Sequence, residues 1–262
     1  MRNQYSLYFL DIDGTLIKGK DLLPKTKTFI QQLRKEGKQI YYVTNHPVRC
    51  HDEHVEYLTK LGLSINKEEL ITPLDGLKRF FNKIDVPYCV YVAASSMVKQ
   101  KLRDWDIPVI EGTDRQLDNC YVVLGMSSSL NYGILQEAYE CIQKGATVLV
   151  LNPDRTCPSN DYKLLDTGLF LKLFEESGDL VEEPIIIGKP SVWMQEVLAE
   201  KINVPKHEVV IIGDTIASDI ALGNALGIDS VFLTNTDIER NYETKTSTHV
   251  MSSIKELVER WC

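Results

Sequence analysis

The chain has 262 residues, of which 44% are hydrophobic and 25% charged, so it can bury a large core and has the balance of a soluble globular protein. Its formal net charge of −8 and its pI of about 5.2 argue against a nucleic-acid partner, because such proteins usually carry a basic face. No apolar run is long enough for a membrane span or a signal peptide, and the six cysteines form no CxxC pair. We therefore expect a soluble, cytoplasmic protein without a membrane partner.

Short apolar runs alternate with helical patterns along the chain, which predicts an α/β fold built on a doubly wound, Rossmann-like parallel sheet. Pro24 is expected in the first turn of a helix that Gly37 ends, and Pro47 in the first turn of one that Gly62 ends. Buried parallel strands are expected at residues 7–10, 40–43, 210–213 and 230–234.

The middle of the chain repeats this alternation with strands and helices of its own. Strands are predicted at 89–94, 121–125 and 146–152, and helices at about 97–104, 131–144 and 167–176. We therefore predict a second α/β domain at 79–182, inserted into a core formed by 1–78 plus 183–262. Short hinges are expected near 76–80 and 180–184.

The first predicted strand ends in two acids, within the segment YFLDIDGTL. Asp11 and Asp13 would lie at the carboxyl end of a parallel strand, where ligands collect in open α/β sheets. The alternative is a pair of turn-forming acids, since Asp-Gly is a common turn signal. This segment by itself does not decide between a site and a turn.

Three further predicted strand ends also carry polar groups. Thr44 and Asn45 follow the second strand, where a hydroxyl, an amide and the first N–H groups of the next helix would form an anion-binding corner. Lys189 is a lone cation after an apolar run, and Asp214 ends another run with Asp219 five residues later. An exposed lysine or a helix-start acid would explain each one separately, but their coincidence at four strand ends favours a single site.

These segments resemble, in order and position, the four motifs of the haloacid dehalogenase (HAD) superfamily of phosphohydrolases. The first motif is similar to DIDGT at 11–15, the second to Thr44, the third to Lys189 and the fourth to Gly213–Asp214 with Asp219. The resemblance implies a phosphatase that hydrolyses a small phosphomonoester, such as a nucleotide or a sugar phosphate, through an aspartyl-phosphate intermediate.

The resemblance also implies a role for each motif residue. Asp11 is the nucleophile, and Asp13 protonates the leaving oxygen and later deprotonates the attacking water. Thr44 and the backbone of Asn45 hold phosphate oxygens, and Lys189 both contacts the phosphate and balances charge.

Mg²⁺ is the cofactor that the resemblance implies. Its ligands would be Asp11, the backbone carbonyl of Asp13, and Asp214. Asp219 would not bind the metal directly but would orient the water molecules bound to it. Cations are needed at such a site, because two charges 4 Å apart repel by about 4 kcal/mol at an effective dielectric constant of 20.

The position of the inserted segment implies a type-II cap, which is a domain inserted between the second and third motifs. About 140 residues separate Asn45 from Lys189, several times the length of one α/β crossover, whereas only a short segment separates Gly14 from Pro24. The arrangement resembles the NagD-like and 4-nitrophenylphosphatase-like branch of the superfamily. Asn152 and Asp154, in the segment NPDRTCP, are candidate cap contacts to the substrate, although Asn-Pro-Asp is also an ordinary turn.

The chain departs from that branch in segments outside the four motifs. Thr44-Asn45-His46 stands where relatives commonly have Thr-Asn-Asn, and LLDTGLF at 164–170 replaces a more usual Pro-Gly-rich turn. We therefore expect the chemistry to be retained and the pocket for the leaving group to differ.

Other functions stay open at this point. A phosphomutase would use the same motifs, and a non-catalytic regulator that binds a phosphorylated metabolite could keep the fold. A receiver-type signalling domain also places acids, a hydroxyl and a lysine at strand ends, but it would not need the inserted domain. The expected partner is a small phosphorylated metabolite, and the resemblance allows a homodimer formed through the cap.

Overall fold

The computed structural model describes residues 4–113, 119–159, 161–234 and 247–261. Two parallel sheets with helices on both faces dominate this part of the chain, which confirms the α/β fold expected from the alternating pattern. The helices are α1 Thr26–Lys35, α2 His51–Lys60, α3 Pro73–Phe81, α4 Ser96–Asp104, α5 Tyr132–Gln143, α6 Thr167–Ser177, α7 Val192–Ala199, α8 Ala221–Leu226 and α9 Ile254–Trp261.

The strands of the larger sheet are β1 Leu7–Asp11, β4 Gln39–Val43, β5 Leu70–Ile71, β12 Val209–Gly213, β13 Asp229–Leu233 and β14 His249–Met251. Their order across the sheet is β14-β13-β12-β1-β4-β5 among the described residues. Each neighbouring pair runs parallel, and the central strand β1 pairs with β4 on one side and β12 on the other.

Successive residues of β1 point to opposite faces of this sheet and into separate cores. Tyr8 and Leu10 pack with side chains of α1, α2 and α9, whereas Leu7 and Phe9 pack with side chains of α7 and α8. A strand that is buried on both faces reads as a continuous apolar run, which is the pattern of a doubly wound sheet.

The strands of the smaller sheet are β6 Cys89–Ala93, β7 Cys120–Leu124, β8 Thr147–Val150 and β11 Ile185–Ile186. Their order is β11-β8-β7-β6, again parallel throughout. Helices α5 and α6 cover one face of this sheet, and α3 and α4 cover the other. Two antiparallel hairpins complete the described strands: β2 Ile17–Lys18 with β3 Asp21–Leu22, and β9 Thr156–Pro158 with β10 Lys163–Leu165.

The limits of the inserted domain stay predictions. Residues 76–80, where one hinge is expected, belong to α3. Strand β11, which falls within the predicted core segment 183–262, pairs with β8 of the smaller sheet. Helix α3 also packs against α7. None of the described helices is both long and apolar enough to span a lipid bilayer.

Two helix starts were predicted wrongly. Helix α2 begins at His51 rather than near Pro47, because Cys50 is extended and its N–H donates to Glu53 in a capping box. Helix α1 begins at Thr26, and the left-handed backbone of Lys25 separates it from Pro24. The first N–H groups of α2 therefore do not follow Thr44 and Asn45 directly.

Candidate active site

Lys189 lies at the centre of the site and is almost completely buried. Its Nζ donates to Asp11 Oδ1 at 2.7 Å, to Asp219 Oδ1 at 2.6 Å and to the carbonyl oxygen of Val43 at 3.1 Å. An ammonium group has three donors, so all of them are used. The lysine therefore joins the ends of β1 and β4 to the segment that follows β12.

Two glycines let acids approach the end of β1 closely. Gly14 has φ +93°, and a Cβ built on it would lie 2.0 Å from Asp214 Oδ2. A Cβ on Gly213 would lie 2.3 Å from the Cβ of Asp219. Asp219 belongs to a π-helical turn, Ile216–Ile220, a local geometry that often occurs at functional sites. A larger residue at either glycine would displace an acid from the site.

Thr44 and Asn45 follow β4 at the same edge of the sheet. Thr44 Oγ1 donates to Asp13 Oδ2 at 3.3 Å and accepts from the N–H of His46 at 2.9 Å. The side chain of Asn45 makes a contact that the sequence did not predict: it accepts from the N–H of Lys189 at 2.7 Å and donates to its carbonyl at 3.2 Å. It therefore fixes the backbone that carries the lysine.

Burial dominates the electrostatics of the acids. It raises the pKa of Asp11 and of Asp13, although Lys189 opposes the shift at Asp11 and Arg49 opposes it at Asp13. Burial, followed by the charge of Asp11, raises the pKa of Asp214 to about 8 and that of Asp219 to about 7. Burial alone would lower the pKa of Lys189, but the two carboxylates outweigh it and raise that pKa. The acids thus need more positive charge than Lys189 supplies.

Three carboxylates offer a place for that charge. One oxygen from each of Asp11, Asp214 and Asp219 lies within 4.8 Å of the others, and no other such group of acids, histidines or cysteines occurs in the described residues. Asp11 Oδ2 is buried without a hydrogen-bond partner. Hard oxygen donors of this kind suit Mg²⁺, so the residues present fit the metal expected from the sequence.

The cavity over these acids is also lined by the segment around Asn152. Asn45 Nδ2 donates to Asp154 Oδ2 at 2.9 Å, and Asn152 Nδ2 donates to Asp166 Oδ1 at 3.0 Å. Asn152 and Asp154 line the cavity, as do Asp11, Asp13 and Lys189. Asp166 also lines it and was missed, because an acid before Thr167 at the start of α6 reads as an ordinary N-cap.

Two family models match the chain, on either side of its middle. Residues 8–108 match a model described as haloacid dehalogenase-like hydrolase, and residues 186–257 match one described as HAD-hydrolase-like. The two matches contain all four motifs. The chain belongs to the HAD-like hydrolases. The resemblance drawn from the four motifs is thereby confirmed.

Similar proteins match along most of the chain, and two solved structures share its fold. The sugar-phosphatase AraL of Bacillus subtilis is 26% identical over 249 residues, which cover 95% of this chain and 90% of that protein. The solved 4-nitrophenylphosphatase of Thermotoga maritima superposes with a TM-score of 0.85 at 24% identity over 98% of both chains. A glycerol phosphate phosphatase of Mycobacterium tuberculosis, solved with magnesium, gives 0.84 at 20% identity and covers 98% of this chain and 77% of its own.

Proposed function

We propose that this protein is a magnesium-dependent phosphatase that hydrolyses a small phosphomonoester, such as a sugar phosphate, through an aspartyl-phosphate intermediate. The observation that carries the proposal is the hydrogen bonding of the two carboxylate oxygens of Asp11. One of its oxygens is held by Lys189, and the other, Oδ2, is buried with no partner at the edge of a polar cavity. A fixed carboxylate with one free oxygen is suited to attack phosphorus.

Asp13 would act as the general acid and base. Burial raises the pKa of this carboxyl group, which favours the protonated form needed to donate to a leaving oxygen. Thr44 Oγ1 donates to Asp13 Oδ2 and so orients it. After the leaving group departs, the same carboxylate would take a proton from the water that hydrolyses the phosphorylated Asp11.

Thr44 and Asn45 would hold the phosphate. The N–H of Thr44 donates to Ile71 and that of His46 to Thr44 Oγ1, whereas the N–H of Asn45 has no partner among the described residues. A free backbone N–H at the end of a parallel strand is a donor for a phosphate oxygen. The Lys189 ammonium would balance the charge of Asp11 and of the transferring group.

Mg²⁺ would be held by Asp11, the backbone carbonyl of Asp13, and Asp214. When bound, it neutralises charge on the phosphate oxygens. Both oxygens of Asp219 already accept hydrogen bonds, from Lys189 Nζ and from the N–H of Thr215. Asp219 would therefore support the ligands rather than bind the metal itself.

A sugar phosphate is the preferred substrate class, since the similar AraL protein is named as a sugar phosphatase. Asn152 and Asp154 would contact the leaving group, because both line the same cavity as Asp11. A phosphomutase would use the same residues but would have to return the phosphoryl group to its product. A cytoplasmic location and a homodimer formed through the inserted domain remain predictions.

Hydrolysis of p-nitrophenyl phosphate tests the proposal. We expect turnover that requires added Mg²⁺, stops with a chelator and is lost in Asp11→Asn, which keeps the shape of the side chain but not its charge. Asp106→Asn, a substitution outside the cavity, is the matched control. Magnesium-independent turnover, or turnover by Asp11→Asn equal to that of the unsubstituted protein, would contradict the proposed function. The second result would favour a non-catalytic protein that binds a phosphorylated metabolite.

A further inference from the structure

Three acceptor atoms of residues that line the cavity receive no hydrogen bond from the described part of the chain. Asn152 Oδ1 is buried and accepts no hydrogen bond, because the amide group of the same side chain points its Nδ2 at Asp154 and Asp166. Asp154 accepts through Oδ2 and Asp166 through Oδ1. Their second oxygens receive no hydrogen bond from any residue that the structure describes. Of these three atoms Asn152 Oδ1 is the buried one, and a buried acceptor left unpaired is costly, so this site favours a ligand that donates hydrogen bonds.

These side chains are held in place. Asp166 caps α6 and accepts from the N–H of Thr167 at 2.6 Å and from Thr167 Oγ1 at 3.1 Å. The N–H of Gly168 donates to the carbonyl of Asp154 at 2.8 Å, which ties the start of α6 to the Asn152–Asp154 turn. The acceptors are therefore arranged before any ligand arrives, which lowers the entropy cost of binding.

No protein cation balances this group. Lys189 is committed to Asp11 and Asp219, and neither Asp154 nor Asp166 forms an ion pair in the described part of the chain. Burial, together with the nearby charge of Asp154, raises the pKa of Asp166. A second metal ion is not favoured, since these two carboxylates do not belong to any described group of three close ligands.

We propose that Asn152 Oδ1, Asp154 and Asp166 form a subsite for a positively charged amine on the leaving group, so that the preferred substrates are amino-sugar or amino-alcohol phosphates. An ammonium group supplies three donors and a positive charge, and charge-assisted hydrogen bonds to carboxylates are stronger than neutral ones. A hydroxyl would fill one acceptor but leave the negative charge unbalanced.

This inference rests on the proposed function, and a matched pair of ligands tests it. Glucosamine 6-phosphate and glucose 6-phosphate differ only by an ammonium group in place of a hydroxyl at about pH 6.5, where an amine of pKa near 8 is mostly protonated. Binding is measured by calorimetry in the presence of Mg²⁺ with the Asp11→Asn variant, which cannot form the phosphoenzyme. We expect the amine to bind at least about tenfold more tightly.

Asp166→Asn, added to the same background, removes the charge but keeps a residue that caps helices well. We expect it to reduce the amine preference to less than about threefold. Asp161→Asn makes the same change at an exposed acid and should leave the preference intact. Equal binding of the two sugars, or a preference that survives Asp166→Asn, would overturn the inference. Absence of p-nitrophenyl phosphate turnover with an intact amine preference would instead contradict only the proposed function.

Discussion

Asn45 and Lys189 hold each other through two hydrogen bonds, although 144 residues separate them in the chain. The amide oxygen of Asn45 accepts from the lysine N–H, and its amide nitrogen donates to the lysine carbonyl and to Asp154. One side chain thus positions both the backbone of the buried cation and a second acid that lines the cavity. Asn45 therefore acts through its side chain as well as its backbone.

Asn45→Ala should lower kcat about 10- to 100-fold, because misplacing Lys189 by a fraction of an ångström weakens the support of the nucleophile. KM should rise as well, since Asp154 loses its partner. Steady-state kinetics with p-nitrophenyl phosphate measures both constants. Asn82→Ala, at the exposed end of α3, is the control and should match the unsubstituted protein. Unchanged kinetics in Asn45→Ala would show that the backbone N–H of Asn45 is sufficient for its role and that its side chain is not needed.

Lys189→Met should destabilise the metal-free protein by about 3–5 kcal/mol, because it leaves Asp11 and Asp219 buried without a cation. Urea unfolding in a chelator measures the change. Adding Asp219→Asn should recover part of the loss by removing one of the two charges. Lys60→Met breaks an exposed pair with Glu56 and should cost less than about 1 kcal/mol. A similar loss in both single variants would contradict the central role of the buried pair.

The metal-free protein should become less stable as the pH rises from about 4 to about 8. Asp214 and Asp219 have folded-state pKa values of about 8 and about 7, above the ordinary value of 3.8. In this window the folded state binds more protons than the unfolded state, so the free energy of unfolding falls with increasing pH. Below pH 4 both states are protonated at these groups, and above pH 8 the loss is complete.

Thermal unfolding in a chelator, compared with unfolding in Mg²⁺, measures this dependence. Magnesium should stabilise the protein more at high pH, because it binds the ionised carboxylates. Asp214→Asn should flatten the slope seen in the chelator. A slope that is the same with and without Mg²⁺, or that Asp214→Asn leaves unchanged, would show that these acids do not form the metal site.

Gly14→Ala should weaken magnesium activation at least about tenfold. The new Cβ would overlap Asp214 Oδ2, and the positive φ adds strain. Gly145→Ala is a matched control, because Gly145 has φ +94° but nothing within 4 Å of its Cβ. Titrating Mg²⁺ in the p-nitrophenyl phosphate assay separates displacement of Asp214 from backbone strain. Equal magnesium dependence in both variants would mean that backbone strain, rather than displacement of Asp214, is responsible.

Local patterns predicted most of the fold. Strands β1, β4, β6, β7, β8, β12 and β13 were expected close to where they lie, because buried parallel strands are short apolar runs between turns. The start of α2 was missed because Pro47 is a common first-turn residue. The capping box of Cys50 and Glu53 decides the true start, and a cysteine is not a usual sign of a helix cap.

The sequence by itself determined the α/β class and the presence of polar residues at four strand ends, because both follow from the pattern of residues close together in the chain. The assignment of those residues to four motifs rested on the resemblance to the HAD superfamily. Only the tertiary structure decided that Lys189 joins Asp11 to Asp219, that β11 pairs in the smaller sheet, that Asn45 holds the lysine backbone and that Asp166 faces the cavity. These contacts form between residues far apart in the chain. Because they depend on how the chain folds back on itself, they leave no periodic pattern in the sequence.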